Sequence, residues 1–387
     1  MIKRLLLSIL LLAVTFVAVR CQSSKQFDTV HDEIEHIRQQ YGNLGLTVVV
    51  VKEGKIVYAD DFGYNPDKEN PTHGNPIRKD DLFYIASISK TFVGTAIMQL
   101  VEQGKLSLDD DVNGYLDFSL RNPQFPDVPI TIRMLLCHRS SLRKGAPYDD
   151  FDKVNPEKSS DVRALFNDYP PGGKADYSNL GFAILGAVVE KASGLRYDVY
   201  VQKNILAPLR LYGGYDVSKL DSTKFVNSCR YNAKKDSFVV QRKAFARKAE
   251  KMNQYILGYS TTALRPASGM ILSSTDLANY MMMHMADGKG RHGKRVLKKN
   301  SERQMREGQN KTVYGLSFVH FLNVIPDEDL IGMNGAGYGT HSAMFFNPDR
   351  KFGFVVICNG CKSKTYADSG LNDDVVRFLY DYFIEKQ

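Results

Sequence analysis

The segment YIASISKTF, residues 84–92, sets Ser87 three positions ahead of Lys90 at the head of an apolar run. A serine hydroxyl is a weak nucleophile near neutral pH and attacks only when a base within hydrogen-bond reach takes its proton. A lysine one helical turn later shares a face with the serine, and its amine becomes that base once burial strips its charge. The same spacing also has a plainer reading, a helix start followed by a solvated lysine. Ser141 and Lys144, in SSLRK, repeat the interval, so spacing alone does not choose between the two readings.

Context separates the two pairs. Beyond Ser87, the apolar residues Phe92, Val93, Ala96, Ile97, Leu100 and Val101 recur at intervals of three and four, with Gly104 as a cap. A helix apolar on so much of its surface is expected to be buried, and to bury Lys90 with it. Its N-terminus would turn the Ser87 N–H toward a developing oxyanion, where the helix dipole favours negative charge. Ser141 instead leads into RKGAPYDD, a polar, turn-rich stretch in which Lys144 is expected to stay solvated.

The elements that must position Ser87 follow from patterning. A helix is expected over 27–41, then a hairpin in LGLTVVVVKEGKIVYADDFGY around Glu53-Gly54. The middle of the chain, about 105–264, carries helical patterns such as TIRMLLCH and NLGFAILGAVVEKASG between Pro/Gly/Asp/Asn-rich loops. After a helix in SSTDLANYMMMHMADG come strand candidates YGLSFVHFL, DLIGMNG, HSAMFFNP and FGFVVICNG, then a final helix over 370–386. Strands at both ends with helices between them imply an α/β (α+β) fold: one antiparallel sheet from the N- and C-terminal segments, about 22–104 and 265–387, flanked by helices, with a helical subdomain inserted.

MIKR followed by LLLSILLLAVTFVAV has the layout of a secretory signal peptide over 1–21, so the protein is expected to be exported, periplasmic or secreted. Lipidation of Cys21, with membrane attachment through the N-terminus alone, is the alternative. It is disfavoured because Arg20 stands where such signals carry a small residue. The remaining chain is mildly basic and lacks the interleaved basic and aromatic pattern of nucleic-acid binders, so no nucleic-acid partner is expected. Five cysteines are too few for a disulfide scaffold, and Cys358 and Cys361, in CNGC, follow an apolar run without a second pair or a histidine cluster. No metal site and no cofactor are expected.

DLFYIASISKTFVGTAIMQLVEQGKLSLDDDVNGYL resembles the nucleophile region of the serine β-lactamase and penicillin-binding-protein superfamily, in its class C β-lactamase, esterase and D-aminopeptidase branch. The resemblance continues in order through TIRMLLCHRSSL, PPGGKADYSNLGFAILGAVVEKASG, PASGMILSSTDLANY and GMNGAGYGTHSAMFFNPDRKFGFVVICNG. It implies the β-lactamase/transpeptidase-like fold and an acyl-enzyme on Ser87. It makes Tyr177-Ser178-Asn179 the second motif, ahead of a Tyr-x-Asn copy at Tyr41-Gly42-Asn43 that is out of order. Tyr177 would shuttle the proton as a phenolate favoured by Lys90⁺, Asn179 would hold Lys90 and the acyl group, and Lys90 or Tyr177 would be the base.

The third motif departs from that pattern. Where the family has Lys or His, a small residue and Gly, this chain has Met333-Asn334-Gly335, aligned by the following AGYGTHS. Asn334 and Gly335 would contact substrate, and Ala336 would give the second oxyanion N–H. Met333 removes the cation that holds a substrate carboxylate, and His341 is expected to have no catalytic duty. Smaller departures, Arg139-Ser140-Ser141 and Ser268-Gly269, touch loops near the pocket. The implied function is a serine hydrolase or acyltransferase acting on a small-molecule ester, amide or related acyl substrate. The alternatives are a β-lactamase, D-Ala carboxypeptidase or D-aminopeptidase, and a non-catalytic penicillin-binding-like sensor.

Overall fold

The computed structural model describes residues 29–246, 252–309, 312–362 and 370–386. The expected signal peptide and Cys21 lie outside the described residues. Helix α1 covers 29–40, and strands β1 (Gly45–Lys52) and β2 (Lys55–Pro66) form the expected hairpin. Its turn works because Glu53 and Gly54 both take positive φ, +48° and +70°, the pairing that matches the twist of two antiparallel strands.

The central sheet has seven strands in the order β3-β2-β1-β12-β11-β10-β9. Here β3 is Gly74–Pro76, β9 Val319–Phe321, β10 Leu330–Gly337, β11 Thr340–Asn347 and β12 Phe352–Cys358. Every pairing in it is antiparallel, and β1 lies directly on β12, so both ends of the sequence build the sheet as expected. The run VVVV in β1 is continuous rather than alternating because both faces are covered. Val48 and Val50 pack with α1 and the C-terminal helix Leu371–Tyr380, whereas Val49 and Val51 join the core shared with the inner helices.

Between strand β4 (Phe83–Tyr84) and strand β8 (Ile271–Leu272), which pair with each other, the chain leaves the sheet and returns. This excursion holds α2 (Ser89–Glu102), α3 (Ile132–Leu136) and α4 (Asn179–Ser193). It also holds short strands that the helical patterning did not anticipate: β5 (Gly213–Gly214) beside β8, and a hairpin of β6 (Cys229–Asn232) with β7 (Ser237–Val240). YGLSFVHFL, read as a full strand, contributes only the three residues of β9.

Candidate active site

Of residues 81–90, Ser87 alone is not buried. It sits in a 3-10 turn, Ala86–Ile88, that leads from β4 into α2. Ala86 takes φ +48°, a left-handed conformation that costs a non-glycine residue energy and persists only where neighbours enforce it. Those neighbours are specific. The Ile85 N–H donates to the Met270 carbonyl (3.2 Å), the Ser89 hydroxyl donates to the Ala86 carbonyl (2.6 Å), and the Ser342 hydroxyl donates to the Ile85 carbonyl (2.9 Å).

Lys90 is fully buried within α2. Its Nζ lies 3.1 Å from Ser87 Oγ and donates to the Ala267 carbonyl at 2.9 Å, with the Tyr177 ring centroid 4.8 Å away. No carboxylate pairs with it among the described residues, and burial alone pulls its pKa well below the usual lysine value. The amine facing Ser87 is therefore disposed to be neutral, with a lone pair able to accept a proton.

Tyr177 arrives from the other side, just before α4, whose cap is Ser178: its hydroxyl accepts the Gly181 N–H at 3.3 Å. Burial raises the Tyr177 pKa, and its hydrogen bond with Ser87 opposes the rise. The expected phenolate beside an ammonium is thus disfavoured on both sides, because burial penalises each charged form. Asn179 opens α4, and its Oδ1 is buried without a hydrogen-bond partner among the described residues.

The third wall is β10. A Cβ at Gly335 would come within 2.8 Å of both Ser87 N and the Ile85 carbonyl oxygen, so the strand backbone lies directly on the nucleophile turn only because this residue is glycine. Met333 shares that face two residues back, paired with Met344 and buried in the helix-side core. Asn334 alternates to the other face and is exposed. Ala336 pairs with His341. His341 alternates with Ser342, whose hydroxyl points at Ile85, and so projects from the opposite face of the sheet.

The structure thus brings Ser87, Lys90, Tyr177 and Gly335 together, and Asn334 lies on the other face of β10. Patterning passed over three further contributors: the Ala267 carbonyl, Ser342 and His138. His138 closes TIRMLLCH, and its ring centroid is 4.4 Å from that of Tyr177. Cys358 and Cys361 are buried, and no group of three metal-ligating side chains occurs among the described residues.

Comparison with known proteins bears on the family and the fold. The family model described as Beta-lactamase matches residues 30–374. Among curated proteins, Protein flp of Staphylococcus aureus (strain MRSA252) is 25% identical over 342 residues, 87% of this chain and 63% of that protein. The chain therefore spans less than two thirds of the length of that relative. Among solved structures, the octameric penicillin-binding protein homologue from Pyrococcus abyssi gives a TM-score of 0.70 at 24% identity, covering 92% of this chain and 77% of that one. The D-amino acid amidase from Ochrobactrum anthropi SV3, complexed with D-phenylalanine, gives 0.68 at 19% identity, covering 93% and 100%. At such identities these structures speak for the β-lactamase/transpeptidase-like fold.

Proposed function

The chain belongs to the Beta-lactamase family, and on that footing we propose that it is an exported serine hydrolase or acyltransferase working through an acyl-enzyme on Ser87. The observation that carries the reading is the fully buried Lys90, with its Nζ 3.1 Å from Ser87 Oγ and no carboxylate paired with it among the described residues. In the first step Ser87 Oγ bonds to the acyl carbon of the substrate while its proton passes to Lys90 Nζ. The carbonyl electrons move onto oxygen, where the N–H groups of Ser87 and Ala336 receive the negative charge. When the carbonyl re-forms, the bond to the leaving group breaks, and Tyr177, kept protonated by burial, donates to the departing atom while Lys90 replenishes it. Water then repeats the sequence against the acyl-enzyme to give a hydrolase, and an alcohol or amine in its place gives a transferase.

Met333 narrows the substrate. A buried methionine on the strand face that meets Ser87 offers no charge to a carboxylate, which favours neutral esters, amides or related acyl groups over β-lactams and D-Ala-D-Ala ends. The test is to treat the purified protein and its Ser87→Ala variant with a fluorophosphonate probe, chromogenic neutral esters and a chromogenic cephalosporin. Probe labelling and ester turnover that vanish in Ser87→Ala support the reading. Labelling that persists in Ser87→Ala refutes the nucleophile, and faster turnover of the cephalosporin than of any ester refutes the substrate class. A labelled Ser87 that turns over nothing would favour a non-catalytic sensor, the reading motivated by the altered third motif.

A further inference from the structure

We infer that His138 is a positioning residue for Tyr177, holding the phenol in place through the backbone N–H groups of the residues on either side of it. The inference rests on the acyl-enzyme reading above and adds a residue to its machinery. His138 Nδ1 accepts the Ser178 N–H at 3.0 Å, and the His138 carbonyl accepts the Asp176 N–H at 2.8 Å, so two hydrogen bonds bracket residue 177. The imidazole ring then lies against the Tyr177 ring, at 4.4 Å between centroids, and is itself wedged by Phe182 at 5.2 Å and Tyr314 at 5.0 Å. Backbone, side chain and ring of one residue thus fix the position of another.

The clamp requires a particular protonation state. A ring nitrogen that accepts an N–H carries no proton, so the imidazole proton must sit on Nε2. That nitrogen is buried and has no partner among the described residues. Burial opposes a second proton on the ring, and whenever Lys90 holds a proton its charge adds to that opposition, so the accepting form is the stable one. Two costs accompany the arrangement: an orphaned Nε2–H, and a non-glycine residue at φ +59°. Uncompensated costs of this kind concentrate where geometry serves chemistry, and the beneficiary here is the phenol opposite Lys90.

Two variants separate positioning from mere packing. His138→Phe keeps an aromatic ring and loses the acceptor. His138→Asn loses the ring, keeps an oxygen acceptor near the Nδ1 position and tolerates left-handed φ. With 4-nitrophenyl acetate, His138→Phe should lower kcat by about 10- to 100-fold with KM little changed, the scale of a misplaced catalytic group. His138→Asn should recover most of that loss. Thermal melting of each variant shows whether it is folded. The inference is overturned if folded His138→Phe keeps kcat within about twofold of wild type. It is equally overturned if folded His138→Asn is as slow as His138→Phe or, should the latter not fold, loses tenfold or more against wild type. Fluorophosphonate labelling of the wild-type protein separates the two levels. Its absence sinks the acyl-enzyme reading and this one with it, whereas a labelled wild type with indifferent His138 variants sinks this one alone.

Discussion

Ser87 with Lys90 and Ser141 with Lys144 are the same pair of residues at the same interval, and the fold treats them oppositely. The first pair spans the entry to α2, where one turn of helix brings Nζ to 3.1 Å from Oγ, and Lys90 is fully buried. The second pair spans an irregular turn. Ser141 takes φ +60°, its hydroxyl accepts from Asn122 Nδ2 at 3.1 Å and its carbonyl accepts from the Asn167 N–H at 2.8 Å. Lys144 is exposed and contributes its backbone N–H to Asp176, 2.8 Å away. Both serines are held firmly, so rigidity does not distinguish them. An interval becomes a contact only on a helix, and a lysine becomes a base only where water is excluded.

Exchanging single residues between the two sites tests that contrast. The largest effect is expected from Ser87→Ala, which should abolish probe labelling and lower ester turnover by about a thousandfold or more. Ser141→Ala should label like wild type and show, in urea unfolding, a loss of only about 1 kcal/mol for one hydrogen bond. Equal labelling of the two variants would erase the distinction. Next in size, Lys90→Met should slow acylation by about a hundredfold or more, as removal of a general base does. Lys144→Met should leave both rate and stability within error, the latter within about 0.5 kcal/mol for an exposed site. Stopped-flow acylation reads both.

A smaller effect is expected from Gly335→Ala, whose Cβ would press on Ser87 N and the Ile85 carbonyl. It should lower kcat by about tenfold or more with labelling still confined to Ser87. The least conspicuous prediction concerns pH. The folded-state pKa of Lys90 lies below that of an unfolded lysine, so between those two values the unfolded chain binds the extra proton. This contribution to stability is fully present above the unfolded value and declines as pH falls toward the folded one. Urea unfolding at several alkaline pH values should therefore show stability rising with pH from this group. The slope should flatten in Lys90→Met and persist in Lys144→Met.

What patterning made legible was what depends on neighbours in sequence. The Glu53-Gly54 turn, the boundaries of α4 between Ser178 and Gly194, and the burial of α2 all follow from local residue types. The Beta-lactamase resemblance named Ser87, Lys90 and Tyr177 for the same reason: each sits in a short motif. The face that Asn334 takes was not legible because a motif does not say which side of a strand a residue projects from, and alternation sends it away from Gly335. His138 and the Ala267 carbonyl escaped notice because their partners lie 40 and 177 residues away, at Ser178 and Lys90. Charge states were equally hidden. A Lys90⁺–phenolate pair is natural in solution chemistry, and only the burial of both groups turns the balance toward neutral forms.

The sheet built from both ends of the sequence also sets an order of assembly. Asn43 bonds the Gly360 carbonyl across 317 residues, and Ser342 secures the turn at Ile85 across 257. Contacts so distant form late, because the loop between them must first be closed. A chain emerging from the ribosome therefore holds its serine and lysine long before it holds the strands that seat them. On the acyl-enzyme reading, until β10 and β11 arrive the hydroxyl is an ordinary alcohol beside an ordinary amine, and unfinished chains are expected to stay unlabelled by the fluorophosphonate probe.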